Sequence, residues 1–156
     1  MEVSVFYLLK FILITAFGFI AMVFDLFTRR IPNKLVLTMI IVWFVLLFPL
    51  LFFDTGNGVG FLLDSLCGLA MGGGLFILVY SISKKGLGGG DVKFMSAAGL
   101  YLGFAGTIPA ILYGTVLAAI VCFILIILKK IGRKDSIPLA PFLFVGILVT
   151  VFSTYI

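Results

Sequence analysis

Apolar residues in this chain come in runs of about twenty, the length an α-helix needs to cross a hydrocarbon core about 30 Å thick. Inside a bilayer no water is present to bond a free backbone N–H or C=O, so such a run folds as a helix that satisfies its own backbone. Six spans are predicted: Val5–Phe24, Leu35–Phe53, Gly60–Ile82, Val92–Phe104, Ile108–Leu128 and Ile137–Tyr155. At 63% hydrophobic residues and 11% charged, with 18 Phe, the chain has more apolar area than a globular surface could absorb. The expected fold is therefore all-α, a polytopic membrane protein with six transmembrane helices and one domain over residues 1–156. Lys10 interrupts the first run and no small-residue cleavage site follows it, so this run reads as a retained helix rather than a signal peptide.

The net charge of +5 reflects orientation in a membrane more than affinity for nucleic acid, and no nucleic-acid partner is expected. Ten of the eleven Lys and Arg residues fall in Asp25–Lys34, Ser83–Lys93 and Lys129–Ser136, the connections that follow spans one, three and five. The opposite connections, Asp54–Val59 and Ala105–Thr107, carry none. By the positive-inside rule the basic side is cytoplasmic, and both termini lie outside. Val92–Phe104 is short for a crossing, about 20 Å of helix, so the glycine run before it is expected to dip into a wet recess with Asp91 at its mouth.

The chain has no histidine, which removes the Ser-His-Asp triad and every His-ligated metal site; neither a metal nor a cofactor is expected. Cys67 and Cys122 lie inside apolar runs without a C-x-x-C pair and read as buried small hydrophobes. The acids are Glu2, Asp25, Asp54, Asp64, Asp91 and Asp135. Glu2 and Asp54 fall on the external side, and Asp135 sits among basic residues in a loop. Asp25 closes the first span and Asp91 opens the fourth, both on the basic side. If these helix ends pack together, two adjacent carboxyls share one proton, and such a pair can activate water against a peptide carbonyl.

Structural readings stand beside the chemical one. Asp91 follows glycine and opens a helix, so it can cap that helix, a role compatible with catalysis. Asp25 can pair with Arg29 or Arg30. Asp64 lies about one turn inside the third span, where an acid is costly; it can snorkel outward or bond Ser65 or another helix. Gly68-x-x-x-Gly72 and Ala70-x-x-x-Gly74 have the spacing of close helix packing. Gly88, Gly89 and Gly90 stand outside a regular span, where the missing Cβ permits positive φ and close approach of an extended substrate.

Three blocks in order resemble the type IV prepilin peptidases, membrane aspartyl proteases of the GxGD class. They are Asp25-Leu-Phe-Thr-Arg-Arg-Ile-Pro-Asn33, Gly88-Gly-Gly-Asp-Val-Lys93 running on to Gly99 and Gly103, and Ile137-Pro-Leu-Ala-Pro-Phe142. The resemblance implies a prokaryotic multi-pass protein of the cytoplasmic membrane. Its catalytic aspartates would be Asp25 and Asp91, removing a basic leader from prepilin-like precursors at the cytoplasmic face. Gly88, Gly89, Gly90, Lys93, Pro138 and Pro141 are the candidate substrate-binding residues, with Lys93 equally suited to anchoring the cytoplasmic end. Larger members carry an N-terminal portion with paired cysteines and also methylate the new N-terminus; this chain resembles the short, peptidase-only form. A presenilin-like protease would show a Tyr-Asp pair within a helix, whereas Asp25 follows Phe24. The rival from another class is a small transporter or assembly scaffold with a proton relay through Asp64 and Asp91.

Overall fold

The computed structural model describes residues 3–53, 55–82, 88–129 and 137–155, and all its regular elements there are helices. They are α1 (Val3–Thr28), α2 (Asn33–Phe53), α3 (Thr55–Ile82), α4 (Gly89–Ile127) and α5 (Ala140–Tyr155). The first four are long and apolar enough to cross a membrane, and α5 is a shorter apolar helix. Residues 83–87 and 130–136 of the two later basic connections, with Asp135, and also Glu2 and Asp54, lie outside the described residues.

Local chemistry sets the ends. Arg29 takes a left-handed φ of 52° and its N–H closes the last turn of α1 on the Asp25 carbonyl at 2.9 Å. Pro32 follows, and α2 begins at once. In α5 Pro141 occupies the first turn, where a missing N–H costs no helical bond.

One 39-residue element, α4, covers most of what reads in the sequence as spans four and five. It is broken at Gly103, whose φ of 70° and ψ of −176° belong to a region open essentially to glycine alone. The break reverses the chain. A Cβ placed on Gly72 of α3 would meet the Met95 carbonyl oxygen at 2.5 Å and Thr107 Cγ2 at 3.4 Å. In a straight helix those two residues would be about 18 Å apart. Both segments of α4 therefore lie against the same turn of α3, and the connection expected at Ala105–Thr107 is realised as a hinge two residues earlier.

Small residues make this approach possible, as expected for helices whose association rests on packing rather than on a hydrophobic gradient. A Cβ on Gly68 or on Gly99 would collide with the other's backbone, and one on Gly146 of α5 would collide with the backbone at Ala110 and Gly114 of α4. Around these seams Trp43 and Phe61 stack at 6.3 Å, Phe6 meets Phe61 edge-on at 4.8 Å, and the buried Tyr101 hydroxyl donates to the Met39 carbonyl at 2.6 Å. Cys67 is exposed and Cys122 half-buried, which corrects the expectation of two buried thiols. In a bundle bathed in lipid an apolar run has an outward face, so lying in such a run does not bury a residue.

Gly103→Ala should destabilise the bundle by about 1–3 kcal/mol through backbone strain, with the added Cβ also colliding with the Asp64 carboxylate. Gly74→Ala, with nothing within 4 Å of the new methyl, should be neutral or slightly stabilising. Thermal unfolding of both variants in detergent checks the contrast.

Candidate active site

Asp25 sits one turn before the end of α1, and its carboxylate is buried. The Ala140 N–H, first in α5, donates to Asp25 Oδ2 at 2.9 Å across 115 residues of chain. That N–H is one of the orphan donors of a helix N-terminus, where the dipole also favours an anion. Arg29 and Arg30 are the alternative partners that the sequence offers Asp25; the observed bond comes from α5.

Asp91 lies in the first turn of α4, three residues after the N-cap Gly88, and its carboxylate accepts the Gly88 backbone N–H. This is one half of a capping box. The cap uses only part of the carboxylate: Asp91 Oδ1 is buried and has no hydrogen-bond partner among the described residues. Capping and availability for chemistry therefore coexist in one side chain.

The two aspartates line one cavity of about 390 Å³, close enough to act on one another electrostatically. Its other walls are Arg29, Arg30, Ile31, Asn33 and the three glycines 88, 89 and 90. The α1–α2 connection thus forms one wall and the start of α4 the other. Arg29, Arg30, Ile31 and Asn33 are not among the site residues named from the sequence, although they stand in the same block as Asp25. A side chain on Gly90 would press on Ile31 at 3.3 Å, and one on Gly88 would meet Asp91 Oδ2 at 2.8 Å.

The three glycines line the cavity, but in a conformation other than the loop expected of them. Gly89 and Gly90 are helical, Gly88 is extended at φ −72° and ψ 133°, and Gly103 is the one glycine of positive φ among the described residues. The tight approach of Ile31, rather than a left-handed turn, accounts for a small residue at 90. Lys93 is exposed and donates to Asn33 Oδ1 at 3.0 Å, bracing α4 against α2 outside the cavity lining. Pro138 and Pro141 are also absent from that lining; their segment reaches the site through the Ala140 N–H. Asp64 stands elsewhere. Its Oδ1 accepts the Phe104 N–H at 3.0 Å, which caps the second segment of α4 at the Gly103 break.

Two carboxyls facing a small polar cavity can bind a water, take its proton with one group and supply a proton with the other. Comparison with known proteins bears on what such a cavity serves. A family model described as the type IV leader peptidase family matches residues 12–126, well over half of the chain and including both aspartates. No curated protein and no solved structure gives a match.

The bond from Ala140 separates structure from chemistry at Asp25. Asp25→Ala removes an acceptor at a helix N-terminus and should lower stability by about 1 kcal/mol, whereas Asp25→Asn keeps an acceptor and should unfold near the parent. Thermal melts of the two variants in the same detergent provide the measurement.

Proposed function

The chain belongs to the type IV leader peptidase family, and from that premise we propose that it is an aspartic endopeptidase whose dyad is Asp25 and Asp91. The observation that carries this reading is the shared cavity, into which two residues 66 positions apart bring their carboxyls from different helices. Asp25 Oδ2 is engaged by Ala140, and Asp91 Oδ1 has no partner among the described residues. That leaves Asp25 Oδ1 and Asp91 Oδ1 as the oxygens to flank a water. One carboxylate accepts the water's proton as its oxygen attacks the scissile carbonyl, and the other carboxyl, protonated, donates to the carbonyl oxygen. Collapse of the tetrahedral intermediate returns a proton to the leaving amine. Neither a metal nor a histidine is required.

The substrate is a prepilin-like precursor with a short basic leader before an apolar helix. In this reading the chain crosses the cytoplasmic membrane of a prokaryotic cell six times, the two segments of α4 counting separately, with both termini outside. The Arg29-Arg30 wall of the cavity supports a cytoplasmic position for the dyad, because arginines near span ends mark that side. The precursor's junction, extended to free its carbonyl from helical bonding, enters beside Gly88 and Gly89, where the latter presents open space. The relay alternative loses support from the placement of its two acids: Asp64 lines a different cavity, at the opposite end of α4's first segment from Asp91.

Asp25→Asn and Asp91→Asn should each lower cleavage of such a precursor by about 10²–10⁴-fold while leaving membrane insertion intact. A purified assay with the precursor in the same detergent tests each residue. Cleavage at the parent rate by either variant would remove that residue from the dyad.

A further inference from the structure

The end of the bundle remote from the dyad holds a second cavity, of about 490 Å³, mostly apolar but with charged residues in its lining, formed by residues of α1, α3, α4 and α5. Lys10 lines it and is only 3% exposed. Its Nζ lies 4.5 Å from the Tyr7 ring centroid, 5.1 Å from Phe11 and 5.3 Å from Phe61, an aromatic enclosure suited to a cation. Asp64 lines the same cavity and acts on Lys10 at Coulombic range, with its Oδ1 committed to the Phe104 N–H. Tyr7, Tyr113 and Ser153, which carry hydroxyls, are among the other lining residues. A cavity that presents an ammonium, a carboxylate and several hydroxyls complements a ligand carrying both signs of charge.

Depth and surroundings identify the ligand's source. Lys10 is fifteen residues from Asp25 along α1, about 22 Å at 1.5 Å per residue, against a hydrocarbon core of about 30 Å. Helical side chains lean toward the N-terminus, so the Lys10 ammonium is carried further toward the far interface, where headgroups lie. Phe11 is also a wall of an adjoining groove of about 570 Å³ between α1 and α5, lined almost wholly by apolar side chains. From Leu8 to Phe19 that groove follows about 16 Å of helix, a length that an acyl chain can occupy.

We propose that this end of the bundle is a binding site for a phospholipid with a phosphoethanolamine headgroup. The phosphate meets Lys10 and the neighbouring hydroxyls, the headgroup ammonium faces Asp64, and an acyl chain lies along the α1–α5 groove. The lipid braces the Gly103 break from outside, because its ammonium partner is the same carboxylate that caps the second segment of α4. The inference rests on membrane embedding and not on the cleavage reaction.

Native mass spectrometry of the full chain released from detergent tests it, with phosphatidylethanolamine, phosphatidylglycerol of the same acyl chains, and soluble phosphoethanolamine as probes. One phosphatidylethanolamine per chain should be retained in preference to phosphatidylglycerol, and soluble phosphoethanolamine should not displace it. Lys10→Met should lower occupancy about ten-fold, the scale of one charge-assisted hydrogen bond, and Lys10→Arg should retain it. Asp64→Asn should erase the preference between the two lipids. Equal occupancy in a folded Lys10→Met variant, equal retention of phosphatidylglycerol by the unmodified chain, or displacement by the soluble headgroup would each overturn the proposal. If Lys10→Met unfolds, the lipid preference of the unmodified chain decides alone. The readout is lipid retention, so its failure leaves the peptidase reading intact, and inactive dyad variants should still bind the lipid.

Discussion

A carboxylate set among packed apolar helices must be held by hydrogen bonds that the protein itself supplies, and this bundle meets that demand in one repeated way. Asp25, Asp64 and Asp91 each sit on a helix N-terminus. Asp25 accepts from Ala140 at the start of α5, Asp64 from Phe104 at the start of the second segment of α4, and Asp91 from Gly88 at the start of the first. These positions offer N–H groups that no helix can satisfy internally, and the dipole adds a favourable field. Two of the three bonds run between different helices, so the same groups that make the acids tolerable also fix which helix ends meet.

Helix packing turns those local bonds into a site. Glycines at 68, 72 and 99 let α3 and the two halves of α4 approach backbone to backbone, which settles the height of α4 in the bundle. Ile31 against Gly90, and Lys93 bonded to Asn33, then fasten the start of α4 to the α1–α2 connection. Asp91 is delivered to the level of Asp25 by contacts that lie mostly outside the cavity. Ala140 closes the arrangement by tying α5 to Asp25, so three separate parts of the chain converge on one small polar space.

Much of this was legible in the sequence, because apolar length and acid position are one-dimensional facts. The helical class, the placing of Asp25 and Asp91 near helix ends, and the small-residue seam on α3 follow from run length, charge and spacing. Gly103 was harder: within an apolar stretch containing other glycines, nothing distinguishes a hinge from a packing contact until Met95 and Thr107 are found against one residue of α3. The partners of Asp64 and Asp25 are 40 and 115 residues away, beyond any local pattern. The glycines before Asp91 were read as a loop by composition, but capping by Asp91 itself lets the helix begin at Gly89. Pro138 and Pro141 shape the entry to α5, while the neighbouring Ala140 N–H is what reaches the site.

The central claim is that Asp25 and Asp91 work as one unit rather than as two independent contributors. Groups that act together in a single step lose their effect together, so their removal is strongly non-additive. The most direct measurement is the cleavage rate of the Asp25→Asn/Asp91→Asn double variant set against the two single variants, on one precursor in one detergent. The account predicts that the double variant is no slower than the slower single variant. Losses that multiply, with the double variant slower by the product of the two single effects, would contradict it.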